Sequence, residues 1–294
     1  MKVLLYGANG WIGEQLHRIL VNLSHTVVKG VVRAEDQKGL EAEVQSVQPT
    51  HIMSMIGRTH GTVGDKEYPT IDYLEQPGKI RENVRDNLYS PLVLAILAKK
   101  HNIHYTYMGT GCIFEYDAHH PFGEEVGFTE EDVPNFFGSS YSVVKGYTDR
   151  LMHMFDDNTL NVRIRMPITS DFNPRNFVKK ITKYAKVCSV PNSMTCLDEL
   201  LPLMVDMADK KVTGTMNLTN PGLITHNEVL ELYKEYVAPN FTWKNFTLEE
   251  QSEILAAGRS NNCLDTTRLE LLYPNVMHIK ESVRLCLEKM GNTA

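Results

Sequence analysis

Three glycines spaced as GxxGxxG, Gly7, Gly10 and Gly13, follow the apolar run Val3-Leu4-Leu5-Tyr6 and precede an amphipathic stretch from Glu14 to Leu23. Strand, glycine turn and helix in that order leave few folds open. Gly7 permits the tight turn, Gly10 lets a pyrophosphate approach the backbone, and Gly13 lets the helix pack closely on the strand. The N–H groups and dipole of that helix would then hold phosphate charge. Residues 7–13, with Asn9, Trp11 and Ile12 between the glycines, are therefore expected to form a dinucleotide-binding turn.

Strand and helix signals alternate beyond this point, as βαβ units do. Strands are expected at 2–7, 26–32, 50–55, 103–108 and 160–165, and helices near 11–23, 38–48, 79–101 and 138–156. This pattern predicts an α/β protein, a Rossmann-type doubly wound parallel sheet covered on both faces. Its ligand is expected at the carboxyl ends of the strands, near the switch point. After Pro167 the alternation breaks. Segments 169–194 and 220–262 are rich in Asn, Pro and Thr, while helix 196–210 and strand 213–218 return to the core, and a final helix lies near 278–289. Residues 1–168 are thus assigned to an NADP-binding core to which 196–219 return. Residues 169–195 and 220–294 mainly form a smaller substrate lobe built from discontinuous segments.

Composition narrows the function. A formal net charge of −6 gives no basic footprint for nucleic acid. No apolar run reaches the roughly 18 residues of a membrane span. Five cysteines, an odd number without paired spacing, read as reduced thiols of a cytoplasmic protein. The histidines show no spacing with Cys or carboxylates that would hold a metal.

Tyr141 and Lys145 form Tyr-x-x-x-Lys inside an expected helix, on one face and about 6 Å apart. A phenol with a pKa of about 10 is a poor acid–base group at neutral pH. A nearby ammonium is expected to lower that value, and Lys145 can also bond a nicotinamide ribose. Thr110 and Cys112 point the same way if residues 103–112 are extended. The Thr110 hydroxyl can donate to a substrate carbonyl beside Tyr141; Cys112 is either a catalytic thiol or a small buried cysteine. Arg33, expected at the end of the second strand, suits a 2′-phosphate and favours NADPH over NADH, although Glu35 and Asp36 lie close by. Arg163, Arg165, Arg175 and Arg259 suit a diphosphate or are plain surface charges. Of Lys179, Lys180 and Lys183, one could face the pocket.

The glycine spacing and the Tyr/Lys pair point to the extended short-chain dehydrogenase/reductases. Within that class, several strings resemble the nucleotide-sugar 3,5-epimerase/4-reductase of plant-type rhamnose synthesis. They are Gly109-Thr-Gly-Cys-Ile-Phe-Glu-Tyr116, Gly127-Phe-Thr-Glu-Glu-Asp132, Arg165-Met-Pro-Ile168, Pro191-Asn-Ser-Met-Thr195, Leu197-Asp-Glu-Leu-Leu-Pro202, Phe241-Thr-Trp-Lys-Asn-Phe-Thr-Leu-Glu-Glu-Gln251 and Arg259-Ser-Asn-Asn262. The likeness runs from about residue 78 to the end, and the chain departs from the pattern at 57–72. It implies a bifunctional enzyme that makes UDP-L-rhamnose (or the dTDP form) from the 4-keto-6-deoxy-glucose precursor with NADPH. It assigns Thr110, Tyr141 and Lys145 to reduction and Cys112 to epimerisation. Lys180, in the Asn176-Phe-x-x-Lys180 motif, becomes the partner base, and Asn176 and Arg259 substrate contacts. It also implies a homodimer and an upstream 4,6-dehydratase as the source of substrate. Two other readings remain: a nucleotide-4-keto-sugar reductase without epimerase activity, for which Cys112 would be superfluous, and a non-catalytic NADP-sensing protein.

Overall fold

The structure is a computed structural model that describes residues 1–293. Its strands are β1 (Lys2–Tyr6), β2 (Thr26–Lys29), β3 (His51–Ser54), β4 (Gly61–Val63), β5 (Lys66–Tyr68), β6 (His104–Thr110), β7 (Thr159–Ile164), β8 (Pro167–Ile168), β9 (Thr195–Cys196) and β10 (Gly214–Asn217). Its α-helices are α1 (Trp11–Asn22), α2 (Gln37–Val47), α3 (Ile80–Val84), α4 (Ser90–Lys100), α5 (Ser140–Met152), α6 (Phe177–Ile181), α7 (Leu197–Asp209), α8 (His226–Tyr236), α9 (Leu248–Ile254), α10 (Thr267–Leu272) and α11 (Ile279–Gly291). Two compact units result. The first comprises Met1–Ile113, Phe137–Arg163 and Leu201–Met216; the second comprises Phe114–Phe136, Ile164–Leu200 and the chain from Asn217 onward.

The first unit is built on a six-stranded sheet of order β10-β7-β6-β3-β1-β2, the doubly wound α/β arrangement expected from the alternation. β1 runs parallel to both β2 and β3, and β3 parallel to β6. The order reverses between β1 and β3, so the crevice that such sheets offer to ligands opens where β1 runs into Gly7. β3, β6 and β7 are buried along their whole length, as strands covered on both faces must be. Leu4, Tyr6, Leu40, Val44, Ile52, Leu94, Tyr105 and Met152 share one apolar core. α1 buries Gly13, Leu16 and Leu20, residues spaced three and four apart on one stripe.

Three expectations about this unit are corrected. β2 stops at Lys29 rather than at residue 32. A Cβ on Gly30 would meet the Tyr6 ring at 2.5 Å, and the Val31 amide donates to Glu43 Oε1 at 2.9 Å instead of to the sheet. Arg33 therefore lies four residues past the strand, in the loop before α2. The helix expected over 79–101 is interrupted by a π-turn, Arg85–Tyr89. There the buried Asn87 accepts from the Arg58 amide at 2.9 Å and returns a bond of 2.9 Å to the Arg58 carbonyl. Finally, residues 114–136, read as part of the core, belong to the second unit. Phe128 exchanges backbone bonds with Cys263 and Asp265 at 2.9 Å each.

The second unit packs Ile168, Val178, Ile181, Met194, Val229, Leu230, Val283 and Leu287 into its own core. Its parallel pair β8–β9 joins Pro167–Ile168 to Thr195–Cys196. The stretch 220–262, expected to be irregular, contains α8 and α9. Each begins with a reciprocal capping box, Thr225 with Glu228 and Thr247 with Glu250, a signal present in the sequence as Thr-x-x-Glu.

The glycine turn is as tight as its spacing requires. Gly7 has φ +72°, and a Cβ on Gly13 would stand 2.1 Å from the Gly7 carbonyl oxygen and 2.9 Å from Ala8 Cα. Both obstacles are backbone, so α1 would have to move off β1. Gly13→Ala is expected to cost about 1–3 kcal/mol of stability, seen in denaturant melts, and to weaken NADPH binding.

Candidate active site

Residues 7–13 fit a dinucleotide. Gly10, the cap residue of α1, makes no side-chain bond to the helix N-terminus, an end whose dipole suits an anion. A Cβ on Gly10 would meet only the Gly7 oxygen, at 3.4 Å. Asn9 is exposed and accepts from Lys29 Nζ at 3.4 Å; Trp11 and Ile12 open the helix. The Arg33 side chain is 70% exposed, with Nε 3.7 Å from Glu35 Oε2, and Glu35 in turn lies 3.3 Å from Arg85 Nε. The Arg33 guanidinium thus faces solvent on a loop past the carboxyl end of β2.

Tyr141 and Lys145 both lie on α5, which Ser139 caps through a bond to the Ser142 amide. Both are buried, Lys145 with only 4% of its surface exposed. Burial drives the Tyr141 phenol above its ordinary pKa, the neighbouring Cys112 adds to the rise, and a hydrogen bond with Thr110 opposes it. The expectation that an ammonium would lower this phenol is thus corrected: desolvation outweighs it, and the Lys145 amine is directed elsewhere. Lys145 donates to the Tyr107 hydroxyl and, at 3.4 Å, to the Met108 carbonyl. Burial pulls its pKa down to about 7, against the pull of Asp149 and Cys112 toward the charged form. Asp149, one turn further along α5, is itself held by Arg163 through bonds of 2.9 and 2.7 Å.

Thr110 ends β6, and its hydroxyl oxygen accepts from the Cys112 amide at 3.1 Å. Gly109, the residue of β6 before Thr110, lies against β7, where a Cβ would meet Asn161 Oδ1 at 2.5 Å. The Cys112 carbonyl accepts from Ser142 Oγ on α5 at 2.8 Å, tying the loop to the helix of Tyr141. Cys112 is half-buried, whereas Cys188, Cys196, Cys263 and Cys286 are buried. It packs in a small cluster with Tyr141, Tyr73 and Leu74, flanked by Val63, Tyr68 and Ile71. Thr110, Cys112, Tyr141 and Lys145 are thus brought together within the first unit. The hairpin β4–β5 and the turn after it supply residues of this cluster that the sequence reading did not find: Val63, Tyr68 and Ile71 fall in the stretch 57–72, where the chain departs from the family pattern, and Tyr73 and Leu74 just beyond it. Tyr107 was missed as well, because the lysine it serves is 38 residues away.

In the second unit, Asn176 is fully buried and spends its side chain on the protein. It caps α6, accepting from the Val178 amide at 3.2 Å and donating to the Thr169 and Asp171 carbonyls at 2.7 and 2.8 Å. Its own carbonyl accepts from the Lys180 amide at 3.0 Å. Of the three lysines, Lys179 turns toward Tyr233, its Nζ 3.4 Å from the hydroxyl, and Lys183 is exposed. Lys180 is half-buried, and its pKa is lowered, first by burial and then by the charges of Arg175 and Arg259. Arg259, also half-buried, donates to the Ala257 carbonyl at 2.7 Å. Arg163 and Arg165, candidates for a diphosphate, are instead internal braces with 0% and 1% exposure. Arg165 binds Asn192 Oδ1 at 2.6 Å and Ser260 Oγ at 2.9 Å, because a fully buried guanidinium must find its partners inside the protein. Among the described residues no cluster of His, Cys, Asp and Glu is arranged for a metal, and no helix is long and apolar enough to cross a membrane.

A dinucleotide turn at the switch point of a doubly wound sheet, with a Tyr-x-x-x-Lys pair on a neighbouring helix, defines a short-chain reductase type of site. The comparisons carry this further. The crystal structure of the L780 UDP-rhamnose synthase from Acanthamoeba polyphaga mimivirus superimposes with a TM-score of 0.93 at 54% identity, covering 98% of this chain and 99% of that one. A bifunctional dTDP-4-dehydrorhamnose 3,5-epimerase/dTDP-4-dehydrorhamnose reductase of Arabidopsis thaliana is 45% identical over 281 residues, 95% of this chain and 90% of the relative. A dTDP-4-dehydrorhamnose reductase from Bacillus anthracis, solved in complex with NADP, shares the fold, with a TM-score of 0.76 at 18% identity and full coverage of both chains. No protein-family model matches the chain. The chain belongs to the nucleotide-rhamnose synthase epimerase/reductase family.

Proposed function

We propose that the chain is a bifunctional 3,5-epimerase/4-reductase that converts UDP-4-keto-6-deoxy-D-glucose, or its dTDP counterpart, to the corresponding nucleotide-L-rhamnose with NADPH. The half-buried Cys112, in one cluster with Tyr141, carries the bifunctional reading, since a reductase alone needs no thiol there. The Tyr141/Lys145 pair argues against a protein that only senses NADP.

The C4 ketone acidifies the C–H bonds at C3 and C5. Cys112 serves as one proton-transferring group and Lys180 as the other. A lysine whose pKa is lowered reaches the neutral, proton-accepting form more readily. Asn176 acts through it, fixing the start of α6. Thr110 and Tyr141 stabilise the developing enolate oxygen as fixed donors. Residues 7–13, Arg33 and Lys145 would hold NADPH, whose chemistry there would be to supply the hydride for C4. Tyr141 then gives its proton to the C4 oxygen, a task for which a phenol kept protonated by burial is suited. Arg259 serves the diphosphate of the substrate. The enzyme works in the cytoplasm, downstream of a 4,6-dehydratase, a fit with its free thiols. It does so as a homodimer, consistent with Ile96 on α4 and Tyr147 on α5, both more than half exposed.

The test is product analysis after incubating the protein with NADPH and either the UDP or the dTDP keto-sugar. Nucleotide-L-rhamnose is expected; an unepimerised 4-hydroxy product would reduce the reading to a plain reductase, and no NADPH oxidation with either sugar would refute it. For the cofactor, Arg33→Ala is expected to raise the KM for NADPH about 10–100-fold, the worth of a hydrogen bond to a charged group, while the KM for NADH stays unchanged.

A further inference from the structure

An ammonium enclosed as fully as that of Lys145 needs acceptors inside the protein. The structure provides two from β6: the Met108 carbonyl at 3.4 Å and the hydroxyl of Tyr107. Tyr107 offers its ring as well, with Lys145 Nζ 4.6 Å from the centroid, within the range in which a cation is attracted to an aromatic face. Tyr107 is itself only 1% exposed and stacks on Tyr105, two residues back along β6, at 6.5 Å between centroids. We propose that Tyr107 is a positioning residue for the ketone reduction: its phenol holds the Lys145 amine in place, one helical turn from Tyr141. The proposal rests on the reductase reading above and adds to it a residue that touches neither sugar nor hydride.

The chemistry of Tyr107 suits that task. Burial first, then the charges of Tyr105, Tyr141 and Asp149, hold its phenol far above the usual value, so it remains a neutral acceptor and does not compete with Tyr141 as the acid. The other groups around Lys145 are accounted for. From α5 come Tyr141, which bonds Thr110, and Asp149, which is paired with Arg163 of β7. From the loop after β6 comes Cys112, whose negative charge would favour the ammonium. Asp86 on the π-turn is occupied by Arg85 and Arg58. Tyr107 is thus the side chain that bonds the amine directly, and its oxygen favours the charged form.

The experiment compares Tyr107→Phe with Tyr105→Phe, which removes a phenol from the same face of β6 without touching Lys145. The reaction is measured with UDP-4-keto-6-deoxy-D-glucose and NADPH from pH 6 to pH 10. In Tyr107→Phe the ammonium loses an acceptor, so the Lys145 pKa falls. The alkaline limb of the reduction profile is expected to move down by about one pH unit, the scale on which a single hydrogen bond to a charged group acts, and kcat to fall about tenfold at pH 8. Deuterium uptake at C3 and C5 from D₂O without NADPH is expected to stay at the wild-type rate. Tyr105→Phe is expected to keep the wild-type profile. An unchanged limb in Tyr107→Phe overturns the proposal. So does an equal shift in both variants, which would mean loss of packing, or a parallel loss of deuterium uptake, which would mean general damage to the site. If wild-type protein performs no reduction, the functional reading fails rather than this one.

Discussion

Cys112→Ala is expected to lose epimerisation and keep its cofactor. A positioned acid–base group contributes about 10²–10⁴-fold, and the variant should lose deuterium uptake at C3 and C5 by a factor in that range. The glycine turn that takes the NADPH pyrophosphate does not depend on the thiol. The glycine turn is closed by backbone atoms of Gly7, Ala8 and Gly13, and the bonds that order residues 110–112, from the Cys112 amide to Thr110 and from Ser142 to the Cys112 carbonyl, involve the main chain of Cys112. The Cys112 side chain is half-buried at the edge of its cluster, so its truncation leaves a small and partly solvent-filled gap rather than a core cavity. NADPH titration by fluorescence should accordingly match the wild type, as should the melting curve. L-rhamnose formation at the normal rate by this variant would show that the thiol has no chemical part. Normal deuterium uptake with slow reduction would place Cys112 in the hydride-transfer step instead.

Much of this site is legible in the chain because its parts are local. The glycine turn, Thr110 with Cys112, and Tyr141 with Lys145 each lie within a few residues of one another, on elements whose period sets where they point. The same locality exposes α8 and α9, whose capping boxes are written as Thr-x-x-Glu, although asparagine- and proline-rich surroundings obscured them. Contacts that depend on tertiary placement are harder to read. Tyr107 and Lys145 meet only because β6 and α5 pack together. Asn87 in the π-turn Arg85–Tyr89 likewise bonds Arg58, 29 residues away. Arginines defeat sequence reading for another reason: a guanidinium has the same letter whether it grips a phosphate or, like Arg165, stands inside the protein on Asn192 and Ser260. The three lysines of 179–183 differ only in rotation about α6, and burial beside Arg175 and Arg259 is what distinguishes Lys180.

Tyr141→Phe should separate the two half-reactions in the opposite sense. The phenol has two tasks, to stabilise the enolate oxygen during epimerisation and to give up its proton at C4 during reduction. In the first it has help, since Thr110 stands beside it as a second donor. In the second it has none of comparable acidity, because Tyr107 is held far above the usual phenol range by burial and the hydroxyl of Thr110 is a weaker acid still. Removing one oxygen therefore costs the two steps unequally. Reduction, followed as NADPH oxidation in the presence of the keto-sugar, is expected to fall by about 10²–10⁴-fold. Deuterium uptake at C3 and C5 should persist at a reduced rate, carried by Cys112 and the Thr110 hydroxyl. The ratio of variant to wild-type rates should be insensitive to pH between 6 and 9, since the wild-type phenol stays protonated throughout that range and Lys145, which titrates within it, is present in both proteins. Full reduction by Tyr141→Phe would refute its role as proton donor, and abolition of both activities together would mean that the phenol is needed to bind the sugar rather than to divide its chemistry.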